Sequence, residues 1–110
     1  PGVLIFRPES GLIYFNVDYV CDTILDRVRA ETPSPKLVVL DLSAAPHVDL
    51  QAAHALASMA DEIKAQGITF QTVEARSSVR DRLRAEGVDG RLGGIDRFVA
   101  VADAVENPKP

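Results

Sequence analysis

The chain is 110 residues long, carries 12 basic against 16 acidic side chains for a formal net charge of -4, and is 46% hydrophobic. That length supports one domain with a single modest core, and the acidic balance argues against a nucleic-acid partner, whose phosphates call for a basic face. No apolar run approaches the roughly 20 residues that span a bilayer, no signal peptide is visible, and the lone Cys21 excludes an internal disulfide or a thiolate metal cluster.

Val3 to Arg7 reads as a strand, and Pro8-Glu-Ser-Gly11 as a turn, because Pro presets one backbone angle and Gly permits a positive one. Leu12 to Val17 reads as a second strand, near enough to pair with the first as an antiparallel hairpin. Asp18 or Asp22 is placed to cap a helix reaching about Arg29, with Val20, Ile24, Leu25 and Val28 on its apolar face. Cys21 falls at the start of that helix, where the dipole lowers a thiol pKa, although a small buried apolar role is the plainer reading. Glu31-Thr-Pro-Ser-Pro35 ends the helix, since each Pro lacks an N–H and restrains its predecessor.

Lys36-Leu-Val-Val-Leu-Asp-Leu-Ser43 is a short apolar run with β-branched residues, the mark of a buried central strand. After the Ala44-Ala-Pro-His-Val-Asp49 loop, Asp49 is a good N-cap for a helix. In that helix Ala53, Leu56, Ala57, Ala60 and Ile63 recur at helical spacing with Met59 beside them. Gln66-Gly67 supplies its stop. Ile68 to Val73 alternates as a strand, and Ser77 or Ser78 caps a helix with Val79 and Leu83 inward and Gly87 at its end. The arginines at 76, 80, 82 and 84 read as its solvated face, with an anion or acidic-partner patch as the alternative. Val88 to Ile95 reads as a flexible glycine-rich loop, Arg97 to Val99 as a short edge strand, and Val101 to Glu106 as a last helical stretch. This order predicts a single α/β domain: a mixed sheet of four to five strands, antiparallel in the first hairpin and parallel across the helical crossovers.

The strand–loop–helix passage places residues 43–54 at the carboxyl edge of the sheet, where open α/β folds carry their sites. Ser43, His47, Asp49, Leu50, Gln51 and His54 are the candidate binding residues there. A hydrolase built on Ser43, with Asp41 nearby, lacks the strained Gly-x-Ser-x-Gly turn that exposes such a nucleophile. His47, Asp49 and His54 lack the spacing of a zinc site. A phosphate cradle lacks glycine and lysine between Ser43 and Gln51. Each residue also has a plain structural role: Ser43 as a loop hydrogen bonder, Asp49 as the cap, His54 as a half-exposed helix residue. No catalytic or metal site is expected.

Taken together, Pro1-Gly-Val-Leu-Ile-Phe-Arg7, Leu12-Ile-Tyr-Phe-Asn-Val-Asp18, Val38-Val-Leu-Asp-Leu-Ser43 and Val48-Asp-Leu-Gln-Ala-Ala-His-Ala-Leu56 resemble a STAS domain. More narrowly, they resemble the cytoplasmic C-terminal STAS domain of SulP-type anion transporters, and Arg97-Phe-Val-Ala-Val-Ala-Asp-Ala-Val105 is similar to that group's closing segment. The resemblance implies a non-catalytic regulatory and interaction domain, residues 1–110 being one domain excised from a longer membrane transporter of sulfate or a related anion. It implies the transmembrane domain of the same protein as partner, a cytosolic regulatory protein as a second one, and a position on the cytoplasmic side of the inner or plasma membrane. It requires no cofactor, although it admits a nucleotide as ligand.

In the related anti-sigma-factor antagonists, the helix opens Asp-Ser-Ser/Thr-Gly and a hydroxyl there is phosphorylated. Here Asp49 matches the aspartate, but Leu50, Gln51 and Ala52 replace the rest, so the phospho-switch does not carry over. The alternatives are a free-standing antagonist-like regulator without the usual phosphoacceptor, and a small hydrolase using Ser43.

Overall fold

The computed structural model describes residues 2–95. Strand β1 (Val3–Phe6) leads to helix α1 (Val17–Ala30), β2 (Leu37–Asp41), α2 (Leu50–Ala65), β3 (Thr69–Val73), α3 (Ser77–Ala85) and a 3-10 turn at Gly90–Leu92. The strands lie in the order β1-β2-β3 and pair in parallel, Val3 opposite Leu37 and Leu37 opposite Thr69. Because that order advances in one direction, right-handed crossovers carry α1 and α2 over the same face of the sheet. There Val38, Leu40 and Phe70 meet Ile24, Val28, Leu56 and Leu83 in the main core. Leu37, Val39 and Val73 form a smaller cluster on the other face, with Val3 packed against it. All five β2 residues are buried, as befits a central strand covered on both faces.

The described residues thus hold three parallel strands, where the sequence led us to expect a mixed sheet of four to five. Leu12 to Val17 is not a strand. Only Leu12 pairs, through one parallel bridge to Val48. Its N–H donates to the His47 carbonyl at 2.7 Å, and its own carbonyl accepts from the Asp49 N–H at 3.0 Å. Beyond it, Asn16 Oδ1 accepts the Ile13 N–H at 3.0 Å while its Nδ2 donates to the Gly11 carbonyl at 2.9 Å. An amide side chain that satisfies local backbone groups competes with a ladder, and the chain curls directly into α1. The strand expected at 97–99 and the helix at 101–106 lie outside the described residues.

The helices follow the apolar periodicity but differ at their starts. Helix α1 begins at Val17 with Asn16 at the N-cap, so neither Asp18 nor Asp22 caps it. It buries Val17 and Cys21 along with the expected Ile24, Leu25 and Val28. Arg76, not Ser77 or Ser78, precedes α3, which turns Val79 and Leu83 inward. Helix α2 matches its reading. Asp49 caps it, and Gly67, at φ 81°, takes the left-handed conformation that closes it. Ala52, Ala53, Ala57 and Ala60 are buried, so the α2 backbone can lie close to the sheet. Leu56 and Ile63 on the same face each contribute about 1.5–3 kcal/mol by leaving water.

The glycine-rich segment is no free loop. Val88, Leu92 and Ile95 are buried, and Gly93 rests against the backbone of β3.

Candidate functional site

Strand β2 delivers Asp41 to the carboxyl edge of the sheet, where the carboxylate is almost wholly buried. Its Oδ1 accepts the Ser43 N–H at 2.9 Å and its Oδ2 accepts from Arg7 Nε at 3.2 Å. Burial pushes the Asp41 carboxyl up, but hydrogen bonds from the Ser43 side chain and backbone and from the Arg7 guanidinium outweigh it. The group is held below the usual carboxylate range. Arg76 Nε donates to the Ser43 carbonyl at 3.1 Å. Ser43 is therefore tied to β2 and to the loop before α3.

No hydrolytic triad forms around Ser43. Among the described residues neither imidazole bonds to it, and His54 Nε2 instead lies 2.9 Å from Glu86 Oε1, linking α2 to the end of α3. Among those residues no cluster of three His, Cys, Asp or Glu side chains is placed to hold a metal, and no helix is long and apolar enough to cross a membrane.

Asp49 has the most consequential geometry. Oδ1 accepts the Ala52 N–H at 2.8 Å, capping α2, and Oδ2 accepts the Tyr14 N–H at 2.8 Å from the turn that opens α1. The Ala52 bond foremost holds the Asp49 carboxyl below its ordinary value; burial, the next influence, opposes it, and the Tyr14 bond, His47 and Arg82 add to the lowering. One carboxylate thus draws the N-terminal ends of both helices together.

Large apolar side chains of the turn, of α1 and of the first residue of α2 remain in solvent. Tyr14 is 66% exposed, Phe15 82%, Tyr19 77% and Leu50 51%. Tyr14, Asp49, Leu50 and Gln51 line a shallow recess between the helix ends. Of the six candidate residues, the structure brings Asp49, Leu50 and Gln51 together, with exposed His47 on the same loop. It turns Ser43 toward Arg76 and His54 toward Glu86.

The exposure of both Tyr14 and Phe15 was missed from sequence, because a strand over 12–17 would bury one of the two. The available signal was compositional: three of the chain's six Tyr and Phe residues fall between positions 14 and 19.

Cys21 takes the plainer of its two sequence readings, a small buried side chain. Burial, aided by the negative charges of Asp18 and Asp22, pushes its thiol up to about 11, so the helix dipole does not activate it. Its Sγ faces the Ala55 carbonyl at 3.8 Å.

The family model of the STAS domain matches residues 1–104 of the chain. No curated protein sequence matches it significantly. The STAS domain of a SulP transporter from Vibrio cholerae is 18% identical with a TM-score of 0.78, over 96% of this chain and 81% of that one. The murine solute carrier 26 family member A9 anion transporter is 22% identical with a TM-score of 0.82. That match covers 96% of this chain but only 17% of the transporter. A Thermotoga maritima protein assigned as an anti-sigma factor antagonist is 19% identical with a TM-score of 0.79, over 96% of this chain and 86% of that one. At such identities these likenesses show a shared fold, and transporter domains and an antagonist share it alike. With the family match spanning nearly its whole length, the chain belongs to the STAS domain family.

Proposed function

We propose that the domain is a non-catalytic docking and regulatory module of a SulP-type sulfate or related anion transporter. It would lie on the cytoplasmic side of the membrane and act on the transmembrane part of the same protein, with a cytosolic regulatory protein as a second partner. The observation that carries this reading is the exposed set of Tyr14, Phe15 and Leu50 around Asp49. Aromatic side chains left in water on rigid helix ends are typical of an interface awaiting its partner. The opening of α2 supports the transporter side of the family: Leu50, Gln51 and buried Ala52 offer no hydroxyl to phosphorylate. Docking asks for no cofactor.

The test is anion uptake by the full-length protein in vesicles, carrying Leu50→Asp or Gln51→Glu. Both sites are exposed, so domain stability should stay within about 0.5 kcal/mol of wild type, while uptake changes several-fold. Wild-type uptake in both variants would overturn the reading, as would a full reading frame with no hydrophobic spans.

A further inference from the structure

We infer that the partner of this face is a lysine- and arginine-rich protein segment, seated in the groove between α1 and α2. This rests on the docking reading above and adds the partner's chemistry. Asp18 and Asp22 on α1 and Glu62 on α2 rim the groove, and Leu25, Ala55 and Met59 form part of its floor. Among the described residues none of these three carboxylates has a cation. Their neighbours do: Asp26 meets Arg29, and Asp61 meets Arg91 and Lys64. Asp18 and Asp22 stand one helical turn apart, where like charges repel until a cation arrives.

In sequence Tyr14 lies four residues before Asp18 and Gln51 four before Ala55, and with Asp49 and Leu50 they line a second recess at the helix N-termini, which Asp49 binds together. An aromatic face beside carboxylates suits guanidinium and ammonium groups doubly, through ion pairing and through cation–π attraction.

The same charges disfavour the other occupants. Anionic lipid headgroups are repelled by an acidic rim, and a second copy of this face would bring carboxylates against carboxylates. Segments flanking the cytoplasmic ends of membrane spans, in contrast, carry an excess of Lys and Arg. A domain tethered to a transporter meets such segments first.

The probe is a synthetic amphipathic helix with leucines on one face and Lys and Arg along both flanks, titrated into the 110-residue chain by calorimetry and NMR. A control peptide carries Glu in place of every Lys and Arg. The cationic peptide should bind, shifting amides near Asp18, Asp22, Ala55 and Glu62. The combined Asp18→Asn, Asp22→Asn, Glu62→Gln variant should melt like wild type yet bind at least about tenfold more weakly.

Equal binding of both peptides, unchanged binding by the variant, or shifts spread over every exposed carboxylate would overturn the inference. If the cationic peptide fails while Leu50→Asp still alters uptake, the partner chemistry is wrong and the docking face stands. If the peptide binds in the groove while uptake ignores Leu50→Asp, the cationic preference stands and the docking reading falls.

Discussion

The backbone N–H of Tyr14 donates to Oδ2 of Asp49 across 2.8 Å, joining residues 35 positions apart in sequence. The other oxygen of the same carboxylate caps α2 through Ala52. A cap ordinarily satisfies one helix; here it also fixes the turn that launches another. The Leu12–Val48 bridge beside it makes the junction two-stranded, with bonds from Leu12 to His47 and from Asp49 back to Leu12. The exposed aromatics of the turn are therefore held on a stiff support.

Replacing Asp49 with Ala removes both bonds, and the melting temperature should fall by about 4–8 °C. Asp49→Asn should fall less. Its single oxygen can keep the Ala52 cap, while its amide nitrogen cannot accept from Tyr14. Circular dichroism melts give the ranking, and hydrogen exchange at the Tyr14 amide should quicken in both variants. An Asn variant that melts with wild type would show that the Tyr14 bond adds no stability.

The Arg7–Asp41 pair sets an acid limit. The folded-state pKa of Asp41 lies below the ordinary value, so its stabilisation is complete above about pH 4, the unfolded value, and fades as pH falls through the folded one. Arg7→Leu removes one of the bonds to the carboxylate. Because Arg7 is 57% exposed, the loss at pH 7 should be only about 1 kcal/mol. Urea unfolding at pH 7 and pH 2 checks this: the two proteins should differ at the first pH and converge at the second. A difference that persists at pH 2 would assign the effect of Arg7 to packing instead.

Much of this architecture was legible in the sequence. The buried β2 run, the capping by Asp49 and the Ala-rich face of α2 all follow from local pattern, because burial on one face imposes one period. The turn at 13–16 was not legible, since Ile13, Tyr14, Phe15 and Val17 have strand-forming side chains. What overrode that propensity was Asn16, whose side chain closes the turn onto Ile13 and Gly11. The starts of α1 and α3 were misplaced for a related reason: both helices begin without a side-chain cap bond, so no capping residue marks them. For the candidate site, Asp49, Leu50 and Gln51 could be placed from strand–loop–helix order alone. Their union with Tyr14 depends on a long-range bond that no local pattern contains.

Gly93 closes the 3-10 turn onto β3 at φ 79°, and a Cβ built there would lie 2.4 Å from the Phe70 carbonyl oxygen and 3.1 Å from Gln71 Cα. Both neighbours are strand backbone and cannot give way cheaply. Gly93→Ala therefore combines backbone strain with a clash and should cost roughly 2–4 kcal/mol. Gly90→Ala, with open space around the added carbon, is the control and should be nearly neutral. Chemical denaturation of the two variants decides the matter; equal stabilities would mean that the turn does not sit against β3 in solution.

Cys21 offers a test of packing between α1 and α2. Its folded pKa of about 11 lies above the ordinary thiol value of about 8.5, chiefly through burial and then through Asp18 and Asp22. The neutral thiol is the form the fold favours, so this stabilisation is fully present below about pH 8.5 and disappears as pH rises through about 11. Alkylation by iodoacetamide at pH 8 should accordingly be slow in the folded chain and speed up by orders of magnitude in urea. Because burial is the larger cause, Asp18→Asn with Asp22→Asn should raise the folded rate less than about tenfold. A folded thiol that reacts like a free one would mean that the α1–α2 groove opens to its floor. The acidic rim would then flank a cleft rather than a shallow seam, and the shape expected of its cationic partner would change with it.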